Sequence, residues 1–426
     1  MSLFLRSCGA VLFFLLFFMN SSGAQENLSL QQAIDLALAN NPQVLAAQKE
    51  VDAASARILQ AEAFPNLEFS INWDETPSNF DITKAGERNI GLVQPLEFPG
   101  KRGARGRVAR IETRYSEESL QRIKILVGAE VKRAYYQAWL NRKLVVNFEA
   151  IADLLQQFRE AATVRYQAQK VPFLEVLRAK TELAKINNEL IAARRDAQNA
   201  LAELNRLLGR PGSTPLALGE DFSYQPFTKT VEMAVNELRQ ASAARRLSET
   251  LVQRGRAQMR LAQKSYLPDF TVGLFHQKRD GQPPFTAENP FGSTVSNLWG
   301  IDVGVSIPLW FWKGPRGQAE EARASFDLAQ IQREAVDRNL TTAIENAHRS
   351  VKAAEEQVRL FEETLLRDVE DELRSGISHY QTEQIDALNL IDIYRTYTET
   401  RAEYYRALYN YHVALADLEV AGETAL

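Results

Sequence analysis

Cysteine is almost absent from this sequence. The one cysteine among the 426 residues is Cys8, so the rest of the chain offers no thiolate for zinc, no disulfide and no cysteine nucleophile. Histidine is scarce as well: His276, His348, His379 and His412 lie far apart, and no two of them have the spacing of a ligand pair. We therefore predict a protein with no stoichiometric metal site and no cofactor.

Long apolar runs are also missing, with one exception near the start. Val11–Phe18 is wholly apolar, follows the lone charge of Arg6 and precedes the small residues Ser22-Gly23-Ala24. This order predicts a secretory signal peptide over residues 1–24, with an uncleaved membrane anchor as the alternative. Further along, no uncharged apolar stretch reaches about 18 residues, so no transmembrane helix is predicted.

A strong charge of one sign is absent too. The formal net charge is −4 and the isoelectric point is about 5.8, which gives no indication of nucleic-acid binding. The chain has neither a glycine-rich phosphate loop with its lysine nor the Gly-x-Ser-x-Gly of a nucleophile elbow. These absences predict a protein that is not an enzyme and has no catalytic residues.

The patterns that the sequence does contain occur twice. An alanine-rich helical pattern ends at Pro65 and gives way to a strand pattern, and the same change occurs at Pro268. QPLEFPGKRGARGRVA, residues 94–109, then has a counterpart in IPLWFWKGPRGQAEEA, residues 307–322. Each copy joins the end of a strand pattern to the start of a long helical pattern.

The closing helices of the two halves match as well, with ALAEL at 200–204 and ALADL at 414–418. We therefore predict two structural repeats of helix–strand–strand–helix–helix, residues 25–208 and residues 228–426. The glycine- and proline-rich segment 209–227 is the predicted linker between them.

Four segments show the period-two alternation of half-exposed strands. In residues 66–75 apolar side chains alternate with polar ones, and residues 88–98 are the predicted partner. In the second half, residues 269–278 are predicted to pair with residues 298–310. The polar segment between them, residues 279–297, is expected to be an exposed loop.

The helical patterns make up the larger part of the chain. From Ala322 and from Leu120 onward, apolar or small residues recur at steps of three, four or seven, which is typical of coiled-coil packing. Proline and glycine are absent from residues 318–375, which predicts one unbroken helix there. The predicted fold class is mainly α with a small β part.

Four strands of about ten residues cannot close into a barrel within one chain, although ten tilted residues match the wall of an outer-membrane barrel. A soluble protein would instead bury the apolar face in a sandwich. Trp310, Phe311, Trp312 and Lys313 at a strand end indicate the headgroup level of a membrane, with an aromatic cluster at a domain junction as the alternative. Because a sheet in hydrocarbon has to close, we predict an oligomer, with eight strands in a dimer or twelve in a trimer.

The repeated junction marks, in this interpretation, the place where the chain leaves a membrane strand and enters a long helix. Glycines within 100–106 and 314–317 are expected to absorb the change of backbone direction. The basic residues of the first junction are expected to form a collar that faces either phosphate headgroups or the adjoining helix: Lys101, Arg102, Arg105 and Arg107.

In this order the segments resemble outer membrane efflux proteins of the TolC family, from Leu28 to about Leu418. The resemblance is carried by the duplication, the opening LQQAIDLALANNPQV, the helices that end in Pro-x-Leu or Pro-x-Phe strands, and IPLWFWKG. It implies a homotrimer whose twelve strands form one outer-membrane barrel, continued by a long α-helical barrel through the periplasm. It also implies a passive exit duct that docks onto an inner-membrane pump through a periplasmic adaptor.

A finer resemblance concerns the cargo. Glu97 ahead of Gly100-Lys101-Arg102 is similar to the junction of the cation-efflux, CzcC-like branch. This implies export of heavy-metal cations with a pump of the resistance-nodulation-division type. A drug- or polypeptide-exporting duct of the same family is the main alternative, and a water-soluble periplasmic coiled-coil scaffold without a channel is a further one.

The long helices are predicted to reverse direction within residues 165–179 and 373–388. Pro172 and Gly376 are the predicted breaks. Gly376 with Ile385-Asp386-Ala387 resembles the turn motif of the family, whereas the first copy lacks the glycine. By that resemblance these turns close the tube and meet the adaptor.

Three acidic residues are therefore candidates for the aperture of the tube: Glu175, Glu383 and Asp386. Glu383 and Asp386 in particular are candidates for an acidic ring that attracts cations. The alternative is that both are solvated acids at the start of a helix, where the helix dipole favours them.

Overall fold

A computed structural model describes residues 26–279 and 297–424. The predicted signal peptide and nearly all of the predicted loop at 279–297 lie outside the described residues. The described chain is mainly helical with a small β part, as predicted. In chain order its first elements are β1 (Glu26–Leu28), α1 (Leu30–Asn40), α2 (Pro42–Glu62), β2 (Glu68–Asp74), a 3₁₀ turn (Ile82–Lys84), β3 (Glu87–Leu96), α3 (Lys101–Gln167), α4 (Phe173–Leu207) and β4 (Leu216–Leu218).

The second half repeats much of this order. Its elements are α5 (Val231–Ala241), α6 (Ala243–Gln263), a 3₁₀ turn (Lys264–Tyr266), β5 (Asp269–Arg279), β6 (Asn297–Ser306), α7 (Gly314–Leu360), a π turn (Phe361–Leu365), α8 (Leu366–Gln381) and α9 (Ala387–Gly422).

The chain divides into two compact units that do not coincide with the predicted repeats. One unit contains the described residues up to 46, residues 121–243 and those from 339 on, and the other contains residues 47–120 and 244–338. Each unit thus takes segments from both halves of the sequence. The division into repeats at 25–208 and 228–426 stays a prediction.

The larger sheet lies in the second of these units. Its order is β2-β3-β5-β6, antiparallel throughout, so β2 and β6 are its edges within the described residues. The predicted pairings of the first two strands and of the last two are confirmed. β6 ends at Ser306, earlier than the predicted 310, because Pro308 has no amide hydrogen for a ladder and Leu309 N–H instead bonds to Ile307 O at 2.8 Å.

The junctions between strand and helix differ from the prediction. Gly100 has φ +90° and is the single glycine of the first junction in the left-handed region, one residue ahead of α3. Gly103 and Gly106 lie inside α3, and Gly314 and Gly317 lie inside α7, without positive φ. The expectation that all these glycines absorb the change of direction is therefore wrong, since only Gly100 adopts a backbone conformation that other residues disfavour.

A hydrophobic core lies in the first of the two units, where the long helices pack against one another. α3 has 67 residues, and its apolar seam is predicted correctly around Val127 and Leu155. The helix predicted as unbroken over residues 318–375 contains the π turn and continues to Gln381. Near the helix reversals, one buried cluster joins α3, α4, α8 and α9; its members are Ile151, Leu155, Phe158, Ala179, Leu183, Tyr380, Ala387, Leu390, Ile391 and Tyr394.

Candidate functional site

One face of the four-stranded sheet is a continuous exposed apolar surface. The strand register aligns one side chain from each strand in a single row, and these side chains are between 41% and 75% exposed: Phe69, Leu92, Leu274 and Ile301. The next row holds Ile71, Ile90, His276 and Trp299. Contiguous apolar area of this kind is unfavourable in water and marks a surface that contacts a partner or lipid.

The opposite face of the same sheet is small and polar. One row there contains Ser70, Gly91 and Gly300 beside Phe275, whose ring fills the space where a side chain of Gly300 would lie. Another row is Asn72, Asn89, Gln277 and Leu298. Alternation between an apolar face and a small or polar face is the pattern of a transmembrane β-barrel strand.

Aromatic side chains lie at both ends of β6. Before the middle of the strand, Trp299 packs on His276 with ring centroids 4.8 Å apart. Beyond its end, Trp310, Phe311 and Trp312 form a turn ahead of α7, with centroid distances of 5.4 Å and 5.2 Å to Trp312. All three residues of this turn are about half exposed or more, as an aromatic belt at an interface would be.

Two of the predicted collar residues pair with neighbouring elements. Arg105 forms a two-pronged ion pair with Glu97, at 2.5 Å and 2.9 Å, and donates from Nε to Ala61 O. Lys101 Nζ lies 2.9 Å from both carboxylate oxygens of Asp269 at the start of β5. Planar pairing of arginine with carboxylate is geometrically specific, so these contacts fix the direction in which the chain leaves β3.

The two helix reversals have the same backbone geometry. Gln169 and Glu383 are left-handed, with φ 57° and 63°. The amide after each, Lys170 or Gln384, donates to a carbonyl five residues back, at 2.9 Å and 2.8 Å. This is the bonding of a helix end that stops at a left-handed residue. The shared geometry makes Pro172 and Asp386, the N-caps of α4 and α9, equivalent positions.

Gly376 does not form a turn, which corrects the prediction. It lies inside α8 and is buried, and a Cβ placed on it would be 2.6 Å from Cδ1 of Ile393 in α9. The glycine therefore lets two helices approach closely. At the equivalent place in α3 stands Ala162, which is fully buried.

Glu383 and Glu175 lie in one polar network at the reversals. Glu383 is paired with Arg165 at 3.3 Å and with Lys170 at 3.8 Å. The Arg165 guanidinium lies 4.7 Å from the Tyr380 ring centre, and the Tyr380 hydroxyl donates to Glu175 at 3.3 Å. Burial, and then the nearby Glu175 charge, raise the pKa of Tyr380 above its ordinary value, so this hydroxyl remains a donor.

Asp386 is in a different situation from Glu383. Its carboxylate accepts a hydrogen bond from the Asn389 amide at 2.9 Å and caps α9, as the helix-dipole alternative anticipated. Sequence reasoning missed Arg165, Lys170 and Tyr380, because the partners described above lie more than two hundred residues away along the chain. The left-handed turn residues carried no glycine that could have marked them.

Within residues 26–279 and 297–424, no cluster of three or more histidine, cysteine or acidic side chains could hold a metal ion. His412 is half-buried and stacks on Tyr136, and His348 Nε2 donates a hydrogen bond to the Lys229 carbonyl at 2.9 Å. Of the described helices, none is long and apolar enough to cross a membrane.

The comparisons with known proteins agree with the architecture. The family model of the outer membrane efflux protein matches residues 33–210 and again residues 234–421. These two segments make up most of the chain. The chain belongs to the outer membrane efflux protein family.

Relatives and solved structures point the same way. The chain is 24% identical to the cobalt-zinc-cadmium resistance protein CzcC of Cupriavidus metallidurans over 377 residues, which cover 88% of this chain and 85% of that protein. It is 23% identical to protein CyaE of Bordetella pertussis over 339 residues, 77% of this chain and 70% of that protein.

Among solved structures, CusC superimposes with a TM-score of 0.75 at 17% identity, covering 93% of this chain and 92% of its own. The Campylobacter jejuni CmeC outer membrane channel gives 0.74 at 13% identity, covering 92% and 85%. The open state of the Neisseria gonorrhoeae MtrE outer membrane channel gives 0.72 at 16% identity, covering 93% and 89%. At these identities the structural matches establish the fold.

The family and the fold define what this protein is. It has the fold of TolC-like channels, which combine a helical barrel with a β domain, and the predicted fold class is confirmed. It is an exit duct of a tripartite efflux system, located in the outer membrane and extending into the periplasm. Its family and its structural neighbours are channels, not enzymes.

Proposed function

We propose that the protein is a homotrimeric duct for heavy-metal cations, which receives them from an inner-membrane pump through a periplasmic adaptor. The observation that carries the proposal is the four-stranded sheet whose apolar face is exposed and whose edges, β2 and β6, end the ladder within the described residues. In hydrocarbon such edges leave amides and carbonyls without partners, so they have to pair with other copies. Three copies supply the twelve strands of one barrel.

The metal cargo is supported by one relative. CzcC of Cupriavidus metallidurans is named for resistance to cobalt, zinc and cadmium, and the chain aligns with 85% of it. A pump of the resistance-nodulation-division type fits this cargo. The passive duct itself needs no metal site, because the pump supplies selection and energy.

The helix reversals are the proposed periplasmic aperture, where the adaptor docks. Pro172, Glu175, Glu383 and Asp386 lie at or beside the reversals, and the acid at position 383 is already balanced by two cations. The proposed girdle on the periplasmic side of the membrane consists of Trp310, Phe311, Trp312 and Lys313.

We also propose that the halves 25–208 and 228–426 are structural repeats. The equivalent geometry of the two reversals supports this proposal.

The first experiment is biochemical. The protein from the membrane fraction is purified in detergent, its oligomeric mass is measured, and it is inserted into a planar bilayer. A trimer that gives discrete channels supports the duct. A water-soluble protein without conductance would contradict it and favour a coiled-coil scaffold.

The cargo is tested in cells. The gene is deleted, and growth is measured with cobalt, zinc or cadmium salts and, separately, with a panel of drugs. Loss of tolerance to metals alone, restored by the plasmid-borne gene, is the expected result. Loss of tolerance to drugs alone would show that the metal proposal is wrong while leaving the duct intact.

A further inference from the structure

The long helix of the second half is one residue longer than its counterpart in the first. α3 has 67 residues, whereas α7, the π turn and α8 have 47, 5 and 16. The junction prolines Pro95 and Pro308 are 213 positions apart, but the left-handed residues Gln169 and Glu383 are 214 apart. One residue has therefore been added between the junction and the reversal.

The burial pattern locates this extra residue. Ahead of the π turn, buried residues of α7 match buried residues of α3 that lie 213 positions earlier: Leu340 with Val127, Ile344 with Val131, His348 with Tyr135, and Val351 with Ala138. After the π turn, the match is at 214 positions: Val369 with Leu155, and the buried Gly376 with Ala162. The change in phase falls between Val351 and Val369, and the π turn at Phe361–Leu365 lies in that interval.

A π turn accommodates one additional residue in a helix while the flanking faces keep their orientation. Here the Leu366 amide donates to the carbonyl of Phe361, five residues back. The insertion thus leaves the buried seams of α7 and α8 facing the same way as the seam of α3. The insertion disrupts the regular backbone hydrogen bonds of the helix locally.

Little packing holds the π turn in place. None of its five residues is buried, although Phe361 and Leu365 are half-buried and the Phe361 ring centre lies 6.3 Å from that of Tyr404. The Tyr404 hydroxyl donates to Glu362 at 2.9 Å, and Arg359 pairs with Glu363 at 3.0 Å. The equivalent part of α3 is different: Ile151 is buried, and Asn147 donates a buried hydrogen bond to the Thr398 carbonyl at 3.1 Å.

We propose that the π turn is a hinge on which the α8–α9 hairpin bends when the channel opens at the reversals, while α3 stays straight. Irregular helical bonding and solvent-exposed carbonyls lower the free energy of bending at one place. The hairpin itself moves as one piece, because α8 and α9 are in close contact at Gly376 and Ile393. The inference rests on the proposed channel function.

The test is deletion of Glu363. Removing one residue from the π turn restores regular helix and keeps both flanking seams in phase. The matched control, Glu363→Ala, removes the same side chain but keeps the extra residue. Both variants are purified as the full membrane-inserted protein and compared with the wild type in planar bilayers.

The deletion is expected to insert normally and to lower the open probability by about tenfold or more, since opening then has to distort a regular helix. Glu363→Ala is expected to behave as the wild type. Wild-type opening by the deletion variant would overturn the hinge alone. Absence of channels from the wild type and from Glu363→Ala would overturn the proposed function together with the hinge.

Amide hydrogen exchange of the wild-type trimer gives an independent reading that does not depend on the folding of any variant. The amides of residues 362–366 are expected to exchange about tenfold faster or more than those of residues 148–152 in α3. Equal protection of the two segments would overturn the hinge.

Discussion

At the scale of single residues, we expect His412 to make the folded protein less stable in acid. Its ring is stacked on Tyr136 with centroids 5.1 Å apart, and Nε2 is buried without a hydrogen-bond partner among the described residues. Burial lowers the pKa of His412 to about 4, although a hydrogen bond with the Ser223 backbone works in the opposite direction. The folded protein therefore holds the imidazole neutral at pH values where the unfolded chain binds a proton.

The pKa of His412 is lower in the folded protein than in the unfolded chain. The free energy of unfolding is therefore unaffected by this group above about pH 6.5, and it decreases as the pH falls from there toward 4. The loss amounts to about 3 kcal/mol at most. His412→Phe keeps an aromatic ring and cannot be protonated. We expect the melting temperature, followed by circular dichroism, to fall less for this variant than for the wild type between about pH 7.5 and pH 4.5. An equal fall would contradict the assignment.

Gly376 gives a second prediction at this scale. Alanine at this position gains up to about 1 kcal/mol of helix propensity but meets Cδ1 of Ile393 at 2.6 Å, and relieving the overlap costs about 1–3 kcal/mol. Gly376→Ala is therefore expected to lower the melting temperature. Ile393→Val removes Cδ1, so the double variant should be more stable than Ile393→Val alone. A further loss of stability in the double variant would show that the close approach is not limited by Cδ1.

At the scale of secondary-structure elements, substitutions at the reversal ahead of α9 can distinguish the helix-capping role of Asp386 from the role of its charge. Asp386→Asn keeps an N-cap oxygen for the Asn389 amide, whereas Asp386→Ala removes it and should cost about 1 kcal/mol. If the acids form a ring at the aperture, Asp386→Asn and Glu383→Gln both lower the cation-to-anion permeability ratio, measured from reversal potentials in a salt gradient. An unchanged ratio in both variants would leave Asp386 with the capping role only.

The sequence predicts the elements better than it predicts their joints. The strands of the sheet are predictable because their two faces have different surroundings. Apolar and polar residues therefore alternate with a period of two, as they do from Phe69 to Trp73. The prediction for Gly376 is wrong because a glycine within a helical pattern is compatible both with a turn and with the close approach of a second helix. Nothing in the sequence indicates that Ile393 is its neighbour. The π turn at Phe361–Leu365 left no mark except one extra residue between two copies.

At the scale of the whole molecule, the sheet is the part that one chain cannot complete. Its apolar rows are exposed on one side and its small and polar rows lie on the other. In the proposed trimer the apolar rows face lipid and the small and polar rows face the lumen. Adjacent residues on one strand therefore have different surroundings. A pair of adjacent substitutions can separate the two faces.

Ile301 and Asp302 in β6 form such a pair. Ile301 lies in the apolar row with Phe69, and Asp302 lies in the row of Glu68 on the other face. Ile301→Arg places a charge against hydrocarbon, at a cost of about 2–4 kcal/mol per subunit near the bilayer centre, and is expected to reduce the trimer recovered from the outer membrane. Asp302→Arg introduces the same side chain one residue away. It should assemble at wild-type levels and shift the permeability ratio toward anions, because the lumen loses a carboxylate and gains a cation in each subunit. Equal recovery of both variants, or loss of both, would mean that lipid does not cover the face that bears Ile301.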